Sequence, residues 1–225
     1  MSPTGAEGIT LYGYWRSTAA WRVRIALNLK GIAWTSRTVH LLRDGGEQRR
    51  PEYLRLNPQG LLPALAIDGQ LLTQSLAIIE YLEETRATPA LLPADAAGRV
   101  RVRSLAQLVA GDLHPLNNLR VLQYLDTHMG AGEAQRQAWY RHWVRVGLDA
   151  LETRLAREPQ TGRFCHGDAP GLADCCLVPQ LYNARRYDCP LEACPTLLRI
   201  EAACGELDAF QAAMPERQPD APPAS

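Results

Sequence analysis

The residues able to do chemistry fall into three sets. The first is hydroxyls that stand ahead of apolar helical runs: Ser17 and Thr18 before a stretch from about Ala19 to Lys30, and Ser75, after Gln74, before Leu76-Ala77-Ile78-Ile79. At a helix N-terminus, free N–H groups and the positive end of the dipole favour an anion, and a hydroxyl there adds a donor. The second set is arginines, whose guanidinium groups suit charge-assisted contact with carboxylates. The third is scattered histidines, His40, His114, His128, His142 and His166, with no metal-ligand spacing among them. Lone histidines are more often structural. His128, His142 and His166 are left in that role.

These groups need elements to position them. Thr10-Leu11-Tyr12-Gly13-Tyr14 reads as a short apolar strand, and Ser17 or Thr18 as the N-cap of the helix that follows. Gly31 stands where a C′ glycine belongs. Trp34 to Leu41 reads as a second strand, and Asp44 to Leu56 as a polar segment with a weak helical piece. Ala64-Leu65-Ala66-Ile67 and Leu71-Leu72-Thr73 flank Asp68-Gly69, a tight-turn pair, and so predict a hairpin. Ser75 then caps a periodic helix with Leu76, Ile78, Ile79, Tyr81 and Leu82 on its apolar positions. The order is β-α-β-α-β-β-α. Read alone, Leu62-Pro63 is a proline that starts a strand.

Pro89 to Asp95 is a Pro/Ala-rich break. Beyond it the pattern is helical, with segments near 98–128, 133–157, 172–187 and 195–213. The expected architecture is an α/β domain over 8–88 followed by an all-α domain over 95–215.

Composition narrows the function classes. A chain of 225 residues is comfortable for two domains, and 46% hydrophobic content can fill their cores. Lys+Arg and Asp+Glu both number 24, so the net charge is zero. That argues against partners such as nucleic acid or a membrane surface, which call for a concentrated positive field. No run of about 18 apolar residues predicts a membrane span. Met1 to Gly8 is small and polar with no basic or apolar region, so no secretory signal is expected. The six cysteines, Cys165, Cys175, Cys176, Cys189, Cys194 and Cys204, form no C-x-x-C pair. They read as buried thiols of a protein in a reducing cytoplasm, with no zinc site.

Five stretches together carry a resemblance. They are Trp15 to Leu27 (Trp-Arg-Ser-Thr-Ala-Ala-Trp-Arg-Val-Arg-Ile-Ala-Leu), Asn57 to Leu65, Gln74 to Glu84, His114-Pro115-Leu116-Asn117-Asn118-Leu119-Arg120, and Leu172 to Gln180. In this order they closely resemble zeta-class glutathione transferases, the maleylacetoacetate isomerases. The related maleylpyruvate isomerases share most of them. The resemblance spans about residues 10 to 215.

It implies the glutathione transferase fold, a thioredoxin-like α/β domain followed by an all-helical one, in a homodimer. It also implies glutathione as cofactor and a maleyl diacid as small-molecule substrate, in the breakdown of aromatic compounds. The activity is cis–trans isomerisation: a thiolate adds to the activated double bond, the resulting single bond rotates, and glutathione leaves. By the same resemblance Leu62-Pro63 is a cis peptide whose Leu62 backbone pairs with glutathione as an added strand. Gln74 and Ser75 hold its γ-glutamyl end, and Ser17, with Thr18 next, activates the thiol. His114 and Asn118 match glutathione-side positions, with Arg120 beside them; His40 and Gln48 are weaker candidates. Candidates for the substrate carboxylates are Arg16, Arg22, Arg120 and Arg186; Arg16 and Arg186 are favoured, whereas Arg22 and Arg120 keep the ordinary reading of a solvated helix charge.

Two positions depart from the family pattern. Ala19 stands where zeta enzymes usually have Cys, which removes any mechanism needing an enzyme thiol there. Gly171 replaces the usual Ser or Thr of a capping box, a change that costs only a few tenths of a kcal/mol; Asp174 still accepts from the N–H at 171. Two other readings are a general transferase that conjugates electrophiles and a non-catalytic adaptor. Intact Ser17, Pro63, Gln74 and Ser75 speak against the adaptor.

Overall fold

The structure, a computed structural model, describes residues 8–223. All but the last residue of the polar leader read at Met1 to Gly8 lies outside them. In chain order the elements are β1 (Thr10–Gly13), α1 (Thr18–Leu29), β2 (Thr35–Thr38), α2 (Pro51–Leu54), β3 (Ala64–Ile67), β4 (Gln70–Thr73), α3 (Ser75–Thr85), α4 (Ala96–Gln107), α5 (His114–Leu116), α6 (Leu119–Met129), α7 (Glu133–Arg157), α8 (Leu172–Arg186), α9 (Pro195–Gly205) and α10 (Asp208–Ala213). They form two compact units: the chain up to Ala90 together with that from Leu207 onward, and Leu91–Glu206.

The first unit is built on a four-stranded sheet in the order β2-β1-β3-β4. β1 and β2 run parallel, joined by α1 as crossover, and the other two pairings are antiparallel. The hairpin forms as expected because Asp68 and Gly69, with φ of 51° and 72°, take the left-handed conformation that a two-residue turn requires. β2 is shorter than the expected 34–41. Its ladder ends at Val39, whose N–H reaches the Gly13 carbonyl, and His40 then turns the chain by accepting from Leu42 and Arg43.

Helix α1 starts where Ser17 Oγ accepts the Ala20 N–H at 3.3 Å. It stops in a Schellman pair, Ile32 N–H to Leu27 O and Gly31 N–H to Asn28 O, with Gly31 at φ 64°. Every residue from Ala20 to Leu27 is buried. Besides the sheet, α3 and α10 both pack on this helix, so it has no solvated face. That arrangement overturns the solvated reading of Arg22, which is 2% exposed. The approach of α1 to β1 is close: a Cβ on Gly13 would lie 3.3 Å from the Ala20 methyl.

Lys30, just past α1, ties down the chain after α3. Its Nζ meets Glu83 at 2.8 Å, Arg86 O at 2.7 Å and Pro89 O at 2.9 Å. α10 returns to this unit through Asn28 to Ala209 O and Arg24 to Ala213 O. The helical unit therefore ends at Glu206 instead of running to 215, and the segment expected as one helix over 195–213 is two.

In the helical unit, the segment expected as one helix over 98–128 is also broken. A π-helical turn covers Leu108–Leu113, Pro115 has no N–H to continue a ladder, and Asn118 caps a fresh helix by accepting the Arg120 N–H at 3.1 Å. Asp95 caps α4 through the Gly98 N–H. The core is apolar, with Val102, Leu105, Val144, Leu148, Phe164, Leu181 and Ile200 each 2% exposed or less. The Arg101 guanidinium crosses it to reach Glu158, Cys165 O and Thr161. The buried Asp174 carboxylate accepts the N–H groups of Gly171 and Cys165 at 2.8 and 2.9 Å, which satisfies both oxygens although residue 171 has no side chain to reciprocate. Burial, opposed by those bonds, leaves Asp174 above the usual carboxylate range.

All six cysteines are free and buried, and all lie in the helical unit. Burial raises the thiols of Cys165, Cys175, Cys189, Cys194 and Cys204. Only a thiolate reacts readily, so the native protein is expected to resist a thiol-specific disulfide reagent at about pH 8 and to expose all six thiols in guanidinium chloride. Rapid labelling of the native chain would contradict the buried assignment. Among the described residues, no helix is long and apolar enough to cross a membrane, and no three His, Cys, Asp or Glu side chains converge on a metal position.

Candidate active site

The candidates of the first unit gather on the ends of α1, α3 and β3 and on the loop after β2. Ser17 stands at the head of α1, half-buried, and Thr18 behind it is buried. A hydroxyl has one hydrogen and two lone pairs. Because Ser17 Oγ already accepts from Ala20, its hydrogen is what it has left to give.

The loop that delivers Ser17 is held from below. Arg24 is 3% exposed and donates to Tyr14 O at 3.4 Å, Trp15 O at 3.0 Å and Ala213 O at 3.1 Å. Burial lowers its guanidinium to about 10, opposed by Asp220 and Glu216. Asp220 also accepts the Trp15 N–H at 2.9 Å. Arg16, the next residue, is half-buried with its guanidinium 5.2 Å from the Trp15 ring centroid.

At the second helix the structure corrects one detail. Ser75 is the first residue of α3, not its cap: Gln74 takes that position at φ 68°, and no side chain caps the helix. Ser75 Oγ instead accepts from Arg22 Nη1 at 3.3 Å. Gln74 is exposed and donates to the Gln59 carboxamide at 2.8 Å, which brings two of the sequence motifs together.

The Leu62-Pro63 peptide is cis and lies directly before β3. The preceding carbonyl, Leu61 O, is pinned by Tyr53 Oη at 2.7 Å and Asn57 Nδ2 at 2.9 Å. Burial raises the Tyr53 phenol to about 12, so it stays a donor. His40 sits 4.7 Å from the Tyr14 ring, and its Nδ1 accepts the N–H groups of Leu42 and Arg43 at 3.2 and 2.9 Å. Those bonds place the ring proton on Nε2. Gln48 is buried and donates to Leu41 O at 3.4 Å, a support for that loop and not an exposed contact.

In the helical unit, His114 opens α5, Asn118 caps α6 and Arg120, the second residue of α6, is exposed. Arg186 ends α8 with its head exposed, bonded to Asn183 Oδ1 at 3.1 Å and 5.5 Å from the Tyr187 ring centroid. Tyr187 stacks on the buried Tyr140, centroids 3.5 Å apart. The roles of Arg22 and Arg24 were missed from sequence. The available signal was two arginines inside the run Ala20 to Leu27, which leaves no polar stripe for solvent.

The family models described as Glutathione S-transferase, N-terminal domain and Glutathione S-transferase, C-terminal domain match residues 16–85 and 133–212. The maleylacetoacetate isomerase of Rhizobium meliloti is 54% identical over 212 residues, covering 94% of this chain and 98% of that one. A solved bacterial maleylpyruvate isomerase, described as a zeta-class glutathione S-transferase, superposes with a TM-score of 0.92 at 51% identity, covering 95% of this chain and 100% of that one. The maleylacetoacetate isomerase of Methylobacterium extorquens, solved with malonate and glutathione bound, gives a TM-score of 0.91 at 48% identity over 95% and 99% of the two chains. This chain belongs to the glutathione S-transferase family, in the zeta class that holds the maleylacetoacetate and maleylpyruvate isomerases.

Proposed function

We propose that this protein is a glutathione-dependent enzyme that converts the cis double bond of a maleyl keto-diacid, maleylacetoacetate or maleylpyruvate, to the trans form. One observation carries the reading: Ser17, Ser75 and His40 each have an acceptor engaged by the protein and a hydrogen left to donate. Glutathione offers two carboxylates and a thiolate, so a set of donors fits its anionic groups. When bound, it supplies reversible thiol addition to an activated double bond.

The chain's own residues do the rest. Ser75, with the leading N–H groups of α3, holds the γ-glutamyl carboxylate, and Gln74 lies beside it. The Leu62 backbone, followed by Pro63, pairs with the middle of the tripeptide at the head of β3. His40 Nε2 takes the glycyl end, on a loop supported by Gln48. Ser17, with Thr18 behind it, donates to the sulfur and keeps it a thiolate near neutral pH. Ala19 leaves no enzyme thiol in this turn, so the nucleophile is the cofactor's. Arg186 and Arg16 are assigned to the substrate's carboxylates; His114, Asn118 and Arg120 are assigned to ligand contact from the helical unit. A diacid, malonate, accompanies glutathione in the Methylobacterium relative, which supports a dianionic substrate here. The working form is a cytoplasmic homodimer, a setting in which six reduced thiols persist.

The test is an isomerase assay with maleylacetoacetate and maleylpyruvate, each with and without glutathione. Turnover of at least one substrate, only when glutathione is present, is the expected result. Equal turnover without glutathione, or none with either substrate, overturns the reading. The faster substrate by kcat/KM names the one the site prefers.

A further inference from the structure

We infer that Arg22 is a positioning residue for the cofactor, acting through Ser75 to set up the γ-glutamyl carboxylate site; this rests on the reading of Ser75 given above. Arg22 lies in the middle of α1, where every neighbour from Ala20 to Leu27 is buried, and is itself 2% exposed. An apolar side chain would fill that place without the desolvation a guanidinium suffers. What the guanidinium adds is a specific contact: Nη1 lies 3.3 Å from Ser75 Oγ, across the interface of α1 and α3.

Two consequences follow for an anion at Ser75. First, Ser75 does not cap its own helix, so its hydroxyl is not committed to the α3 backbone. With Arg22 donating to it, the oxygen is turned to accept on the protein side, and its hydrogen is directed to whatever stands at the helix end. Second, a buried positive charge stands one hydroxyl away from that place. Interior charges are poorly screened, so the charge adds to the partial positive charge of the first α3 N–H groups. Both effects favour a carboxylate and neither favours a neutral group. The serine makes the contact, and the arginine orients and polarises it.

The test is calorimetric titration of wild type, Arg22→Met, Arg22→Gln, Arg22→Lys, Ser75→Ala and the double variant Arg22→Met/Ser75→Ala. Each is titrated with glutathione and with γ-aminobutyryl-cysteinylglycine, which is glutathione without the γ-glutamyl α-carboxylate. Arg22→Met is expected to raise Kd for glutathione about 10- to 100-fold, the scale of a charge-assisted contact. The decarboxylated analogue should bind wild type and Arg22→Met within about threefold of each other, and the double variant should be no more than about threefold weaker than Ser75→Ala alone, because the two residues act as one unit. Arg22→Lys should recover part of the affinity, and the kinetic loss should fall on KM for glutathione with kcat at saturation little changed. If Arg22→Met does not fold, Arg22→Gln, which removes the charge but keeps a polar head, carries the same comparison. Wild-type glutathione affinity in a folded charge-removed variant overturns the inference, as does an equal loss for glutathione and its analogue, or full additivity with Ser75→Ala. These results would leave Ser75 in place. Unchanged glutathione affinity in Ser75→Ala would instead remove the reading on which the inference rests.

Discussion

Arg186→Ala is expected to lower kcat/KM for the preferred maleyl substrate by about 10- to 1000-fold, or about 1.4–4 kcal/mol of transition-state stabilisation. The side chain is prepared for this work. Asn183 holds one end of the guanidinium, and the fork lies against Tyr187, which is stacked on the buried Tyr140, while the head of Arg186 remains exposed. A guanidinium fixed in this way has already lost much of its rotamer freedom and still presents N–H groups to a carboxylate. Glutathione affinity should change little, because the donors assigned to the γ-glutamyl carboxylate and the thiol stand on the other unit. Conjugation of a neutral electrophile should survive, since it has no carboxylate to hold. Arg186→Lys should restore only part of the rate, because an ammonium cannot reproduce a bidentate fork. Steady-state kinetics with both reactions decide the matter: intact isomerisation, or equal damage to both reactions, removes Arg186 from the diacid pocket.

The second large effect concerns Ser17. Ser17→Ala removes the hydroxyl donor nearest the proposed sulfur position and should lower kcat about 10- to 100-fold at neutral pH, the scale of one hydrogen bond to a charged acceptor. The sign of the pH effect follows from which form is stabilised. A donor favours the thiolate and so depresses the pKa of the bound thiol. Losing the donor raises that pKa, and the ascending limb of the rate profile moves up by about 1–2 pH units. At sufficiently alkaline pH, part of the lost rate should therefore return. The same change also costs α1 its N-cap, about 1 kcal/mol of stability, so activity is compared well below the unfolding transition. Ser17→Thr, which keeps the hydroxyl, should retain both the cap and most of the rate. A Ser17→Ala enzyme with an unmoved profile would show that the thiolate is stabilised elsewhere, with Thr18 the next candidate.

Much of the framework around the candidate site was legible because its signals are local. A hydroxyl ahead of an apolar periodic run marks a helix start whatever the chain packs against, so Ser17 was found as the cap of α1. Asp68-Gly69 declared its hairpin because few other residue pairs accept two consecutive left-handed conformations. Gly31 marked the end of α1 for the same reason. The five motifs in order named the family, and Ala19 already removed any mechanism that needs an enzyme thiol at that turn.

Other features were decided by contacts between residues far apart in sequence. Arg22 was read as solvated because a helix is expected to keep one face in water. α3 and α10 together take that face away, and Ser75, which accepts from the arginine, is 53 residues distant. Arg24 is tied to the chain near Ala213 in the same way, which is also why α10 belongs with the first unit and not with the helices before it. The break between α5 and α6 and the shortening of β2 come from side chains, Asn118 and His40, that bond to backbone a few residues away. Periodicity does not reveal such contacts. The sequence by itself determined the family, the cofactor class and the hydroxyls at the two helix starts, because each depends on the order of neighbouring residues. Only the tertiary structure decided what those hydroxyls accept, because at Ser75 the donor, Arg22, arrives from another helix.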